Sequence, residues 1–170
     1  MQRYQKIEDV PSPRARRLYE YWLAKKGERL MPSRADIDPA EFRDLLSYII
    51  MARLERAPFR VRYTLVGTRC VENGGFDYTG RYLDELDFRT EYDTDWGDIY
   101  ALLEREKLPL LGRCQVQFTN GILKPYIVIL LPLSSDGVSV DQTIALEDLE
   151  LDPLEAMRRP PTITIGKPHD

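Results

Sequence analysis

Three side-chain types in this 170-residue chain could do chemistry from an interior position: phenols, an amide and a thiol. Tyr63 shares its parity with Val61 and Leu65 along an alternating stretch, and Tyr100 lies on an apolar helical stripe with Trp96, Ile99 and Leu103. Gln142 interrupts an apolar parity formed by Val138, Val140, Ile144 and Leu146. On inward faces these groups would hydrogen-bond a small ligand held among apolar walls, which is how binding pockets are usually composed. The alternative is that the tyrosines are core residues with satisfied hydroxyls, and that Gln142 bonds buried backbone or turns outward at a bulge. Cys70, near the start of a short helix, would have a lowered thiol pKa if helical amides point at it, making it a candidate redox or ligand-contacting residue. Cys114 shares its parity with Val116 and Phe118 and reads as a small buried hydrophobe.

Other chemistries find little support. The single histidine, His169, is next to last, which disfavours His-ligated haem, a His-based metal cluster and a Ser/His triad. Two cysteines 44 residues apart suggest neither a zinc knuckle nor a disulfide framework, so no metal ligands are assigned. There is no P-loop, GxGxxG, HExxH or G-x-S-x-G phrase, and an enzyme built on this chain would depend on carboxylates that show no recognisable paired spacing. A catalytic role is therefore the remote reading.

The formal charge of -4 argues against nucleic acid as a partner. It is unevenly spread: residues 1–62 carry 14 basic against 9 acidic side chains, and residues 63–170 carry 10 against 19. The acids concentrate between Asp84 and Glu106, either as a solvated face or as a docking face for a basic partner. The longest apolar run, Pro125 to Leu133, is nine residues, far short of the ~20 a spanning helix needs. The first ten residues contain no apolar export core, so a cytoplasmic location without a membrane span is expected.

The elements that must position these side chains follow from periodicity. Ser12-Pro13 opens an amphipathic helix that ends at Gly27 and buries Ala15, Leu18, Tyr19, Trp22 and Leu23. Asp38-Pro39 with Glu41 signals a second helix with Phe42, Leu45, Leu46 and Ile49 as its inner stripe. Strands are predicted over 47–55 and 59–66, a helix over 94–107, and further strands over 110–118, 125–133 and 138–146. Asn120-Gly121 and Ser134 to Gly137 supply the turns between the last three. Two strands, a helical crossover and three strands make an α+β domain with a five-stranded antiparallel sheet and helices on one face. The expected organisation is a helical extension and linker over 1–46, the sheet domain over 47–149 and a tail over 150–170.

The chain resembles the PAS domain family, in particular the short bacterial single-PAS proteins formerly catalogued as a domain of unknown function. The matching residues are Leu18 to Trp22, Pro32 to Pro39, Leu65-Val66-Gly67-Thr68, Asp77 to Arg81, Pro132-Leu133-Ser134 and Asp136-Gly137. One departure is Thr64, where such proteins often carry arginine. The resemblance implies a PAS-like fold and a sensor or adaptor in bacterial signal transduction, binding a small molecule, a signalling protein or a second copy as a homodimer. It assigns no particular cofactor. Cysteinyl-flavin photochemistry is disfavoured because the position matching the reactive cysteine of Gly-Arg-Asn-Cys is Leu83, in Gly80-Arg81-Tyr82-Leu83. No output domain is expected in the segments flanking the sheet.

The strand Pro125 to Leu133 is apolar on both faces, so each face needs a cover. Leu18, Trp22 and Leu23 of the first helix and Tyr126 and Val128 of this strand are the candidate interaction residues, with the helix either covering its own sheet or swapped across a dimer. The competing reading is a pure interaction or dimerisation module with a solid core.

Overall fold

The structure is a computed structural model, and it describes residues 1–86, 94–117, 123–151, 154 and 163–164. The first helix forms where its caps place it. Helix α1 spans Pro13–Lys26, its Ser12 cap accepts the Ala15 amide at 3.0 Å, and Gly27 closes it with φ 56°. Ala15, Leu18 and Trp22 are buried at the expected spacing, whereas Leu23, at its edge, stays exposed.

The second helical segment differs from expectation. Pro39–Tyr48 is a 3-10 helix, kinked at Phe42, and its buried residues are Phe42, Leu45 and Tyr48. Three residues per turn selects positions 42, 45 and 48 where an α-helix would have selected 42, 45, 46 and 49. Leu46 is consequently only half-buried, and Ile49 is buried as the first residue of a strand.

Strands β2 (Ile49–Arg56) and β3 (Phe59–Val66) form the expected hairpin. Helices α2 (Thr68–Gly74) and α3 (Trp96–Glu106) lie in the crossover to β4 (Leu110–Gln117), β5 (Leu123–Leu133) and β6 (Gln142–Asp148). The sheet order is β3-β2-β6-β5-β4, extended at the β4 edge by β1 (Gln2–Arg3) and β7 (Ile163–Thr164), seven antiparallel strands among the described residues. The five long strands are those expected from sequence; the two added strands have two residues each, too few for an alternation to register.

The last strand begins later and ends later than its apolar pattern suggests. Asp136 caps the amides of Val138 and Ser139 at 2.8 and 2.7 Å, which holds that stretch in a loop and leaves Val138 exposed. The strand therefore starts at Gln142 and runs on to Asp148. Of the other expected features, the Asn120-Gly121 turn, Phe118 and His169 lie outside the described residues.

Both faces of β5 are covered, which is why it reads as a continuous apolar run. Tyr126, Val128 and Leu130 face α2 and α3; Ile127, Ile129 and Leu131 face the opposite way, toward α1. In this structure α1 lies on its own chain's sheet, with the Trp22 indole donating to the Pro132 carbonyl at 2.8 Å. At its other end Ser12 donates to the fully buried Asp148 at 2.6 Å, and Arg14 adds an ion pair to the same carboxylate at 3.2 Å. No helix among the described residues is long and apolar enough to cross a membrane.

Gly67 fixes the join between β3 and α2. Its amide donates to Ile49 at 2.8 Å, and a Cβ there would stand 2.4 Å from the Ser47 carbonyl oxygen. Gly67→Ala must therefore push two backbones apart, and calorimetry should show a thermal midpoint lower by roughly 5 °C; an unchanged midpoint would contradict this tight packing.

Candidate functional site

A cavity of about 40 Å³ lies between the sheet and helices α2 and α3. Three structural features build it. The alternation of β3 aims Tyr63 inward, and the neighbouring backbone fixes its position: its amide donates to Arg81 at 3.0 Å and its carbonyl accepts from Gly80 at 2.7 Å. Helix α3, started by Asp95 accepting the Gly97 and Asp98 amides, presents Trp96 and Tyr100. Helix α2 and the turn after it supply Cys70, Asn73 and Tyr78.

The aromatic wall is continuous. Tyr63 meets Tyr78 edge-on at 4.8 Å and Tyr100 at 6.4 Å between ring centroids, and Trp96 lies 6.4 Å from Tyr100. The hydroxyls of Tyr63 and Tyr100 are hydrogen-bonded to each other, and burial pushes both phenols above their ordinary pKa. The buried Thr143 hydroxyl lies toward Tyr100 without reaching full hydrogen-bond geometry. Tyr126, Val128, Leu130 and Ala145 form the floor.

Into this apolar wall β6 places one ionisable acid. Glu147 has no hydrogen-bond or ion-pair partner among the described residues, and its residual accessibility is toward the cavity. Burial alone pushes its carboxyl up to about 7. Among the described residues, none of the lining side chains is basic.

The placement of the candidate residues is mixed. Tyr63, Tyr100 and Cys70 all line the cavity. Gln142 does not: it shares the parity of Ile144 and Leu146, pairs with Arg53 and Leu133, and points to the α1 side of the sheet. Both rows of β6 are largely apolar, so the alternation does not say which of them meets the crossover helices, and the row of Gln142, Ile144 and Leu146 is the one toward α1. The inward row is instead Thr143, Ala145 and Glu147. Glu147 escaped the sequence reading because the strand was ended at Leu146; its spacing from the apolar Ala145 and Leu149 is the signal that would have found it.

Tyr126 and Val128 also differ from expectation. They are buried in the cavity floor and form no outer contact surface. Leu18 and Trp22 are buried beneath α1 within the chain, and Leu23, 47% exposed, is a solitary apolar side chain on that helix. The acids described between 84 and 106 largely serve this chain's own bases: Asp84 and Glu85 bind Arg60, Glu104 binds Arg56 and Glu106 binds Arg3. Asp87, Glu91 and Asp93 lie outside the described residues.

Cys70 is the opposite of an activated thiol. Burial pushes its pKa up and the nearby Glu147 charge adds to this, although it sits in the first turn of α2. Both cysteines are buried. Neither should react with a thiol reagent under native conditions, both reacting on denaturation; fast native labelling of Cys70 would contradict this environment. Leu83 is half-buried at the start of the 3-10 turn Leu83–Glu85 and does not line the cavity. Among the described residues no cluster of three metal-ligating side chains occurs.

The fold has many solved counterparts. A light-oxygen-voltage domain studied with a flavin analogue superposes with TM-score 0.50 at 8% identity, covering 68% of this chain and 86% of its own. The Rhodobacter sphaeroides LOV protein gives 0.47 at 11%, covering 67% and 69%, and the PAS domain of an HTR-like protein from Haloarcula marismortui gives 0.41 at 16%, covering 64% and 88%. Identities this low speak to fold alone. No curated protein matches the chain. A family model described as PAS domain matches residues 10–146, a span that takes in α1, the crossover helices, strands β2 to β5 and most of β6, and the chain therefore belongs to the PAS domain family.

Proposed function

We propose that this chain is a PAS sensing module whose signal is a small molecule entering the cavity between the sheet and helices α2 and α3. The observation that carries this reading is the partly open, aromatic-lined cavity with one carboxyl, Glu147, at its wall that has no partner among the described residues. A solid-core interaction module has no use for such a group, since an unpaired buried carboxylate costs stability. The PAS family is a sensory one and generally non-catalytic, and among the described residues the cavity holds no second carboxyl and no basic side chain with which Glu147 could share proton transfer.

Flavin does not fit these residues. The space is a fraction of the ~150 Å³ that accepts benzene in an engineered protein cavity, and no cysteine stands at position 83. The ligand is a small group of a few non-hydrogen atoms.

Transmission follows from the alternation of β6. Glu147 faces the cavity, and the next residue, Asp148, faces the opposite layer, where it holds Ser12 and Arg14 at the start of α1. Glu150 continues the link, accepting from Tyr48 at 2.7 Å and pairing with Arg14 of α1 and Arg69 of α2. A shift of this strand end on ligand binding moves the anchor of α1, and α1 then offers or withdraws a surface for a signalling partner.

A metabolite panel screened by thermal shift tests the reading, using the wild type beside the cavity-filling variant Ala145→Leu. At least one compound should stabilise the wild type and not the variant, and should change hydrogen exchange in α1. No stabilising compound, together with the bare chain mass in native mass spectrometry, would contradict a ligand sensor.

A further inference from the structure

The chemistry of the cavity wall goes further and names a ligand class. Among the described residues, five aromatic side chains, Tyr63, Tyr78, Trp96, Tyr100 and Tyr126, line the space together with one carboxyl and no basic group. Ring faces carry negative quadrupole potential, which attracts weakly hydrated cations and repels anions. A carboxylate in the same space adds a full negative charge, and none of the described residues neutralises it. An anionic ligand would meet repulsion from both sources. A polyhydroxylated neutral ligand would find few donors beyond the Asn73 amide and the tyrosine hydroxyls, of which Tyr63 and Tyr100 already bond each other.

We propose that the cavity selects a small organic cation, an alkylammonium group whose charge lies against the Glu147 carboxylate and whose methyl or methylene groups lie against the rings of Tyr63, Tyr78, Trp96 and Tyr100. This rests on the reading of the cavity as the ligand site. Alkylammonium suits it better than a metal ion, because the site has a single carboxylate and a hard cation requires several oxygen ligands. The volume of about 40 Å³ restricts the cation to a few non-hydrogen atoms.

The groups facing Glu147 make the coupling to protons simple. They are Tyr63 from β3, Cys70 and Asn73 from α2, Tyr78 from the following turn, Trp96 and Tyr100 from α3 and Tyr126 from β5. Burial holds the Tyr63, Tyr100 and Cys70 protons in place well above neutral pH, so Glu147 is the cavity group that titrates near 7. A cation binds the ionised form, so affinity rises with pH through about 7 and then levels. Between about pH 6 and pH 8 the gain is about tenfold.

The test titrates the full chain with trimethylammonium chloride, isopropanol and sodium acetate, three solutes of equal heavy-atom count, following the methyl resonances of Val128 and Leu130. Trimethylammonium should perturb them saturably, and Glu147→Gln should weaken it about tenfold or more, the loss of a charge-assisted contact. Equal binding by isopropanol or acetate, or undiminished trimethylammonium binding by Glu147→Gln, would overturn the cation assignment while leaving the cavity a ligand site. Silence from all three solutes would overturn the cation assignment as well; if the metabolite panel also failed, the sensor reading would fall with it.

Discussion

Replacing Glu147 by glutamine is expected to raise stability at about pH 8 by 1–3 kcal/mol, a rise of several degrees in thermal midpoint. The sign follows from the direction of the shift. The folded-state carboxyl titrates near 7, above its ordinary 4.5, so the folded chain binds this proton more tightly than the unfolded chain. Its contribution is fully present below the unfolded pKa and is lost as pH rises through about 7. At alkaline pH the wild type therefore holds an unpaired buried charge, and glutamine removes the charge while keeping the shape. The wild type should lose stability between about pH 5 and pH 8, and the variant should show a flatter profile over that range. A variant less stable than the wild type at pH 8 would mean that the carboxylate has a favourable partner, contrary to the structure. Lowered carboxyls elsewhere do not obscure this window: Asp136, Asp36 and Asp84 are all held below the ordinary range by hydrogen bonds, so their contributions fade only at acid pH.

The second large effect is expected at Trp22. Trp22→Ala should cost about 3–5 kcal/mol, lowering the midpoint by roughly 10 °C or more. The side chain is 2% exposed and its indole donates to Pro132 at 2.8 Å, so the substitution opens a hole between α1 and β5 and leaves a buried carbonyl without its donor. Amide exchange in α1 should accelerate more than exchange in β5. Trp22→Phe separates the two contributions, because it keeps most of the packing and loses only the hydrogen bond. A nearly unchanged midpoint for Trp22→Ala would show α1 to be a loosely attached appendage, and the route from Glu147 through Asp148 to α1 would lose its receiving element.

Much of the fold was legible because its signals are local. Ser12-Pro13 and Gly27 bracket α1, and the alternation from Phe59 to Val66 gives β3 its bounds. The doubly apolar run of β5 correctly implied a cover on each face, and the structure places α1 on one of them. What was not legible depends on geometry that composition does not carry. Whether Asp38-Pro39 starts an α-helix or a 3-10 helix is decided by how Phe42, Leu45 and Tyr48 pack under the sheet.

The candidate site shows the same division. Tyr63 and Tyr100 sit in regular elements whose periodicity survives folding, and both reach the cavity. Gln142 and Glu147 depend on which row of β6 meets the crossover helices, and both rows are largely apolar, with Ile144 and Leu146 on one and Ala145 on the other. The charged residue of the site was therefore hidden behind an apparently regular apolar pattern. Tyr126 and Val128 could have been assigned to either face of β5, and only the position of the crossover helices decides between them.

The half-buried carboxyl of Glu147, unpaired among the described residues, is what makes the cavity a site. A pH titration of the Glu147 carboxyl carbon by ¹³C NMR in the intact chain reads it directly. A midpoint near 7 is expected; a midpoint near the ordinary glutamate value of 4.5 would show a solvated or paired carboxylate and contradict the reading of the cavity as a site.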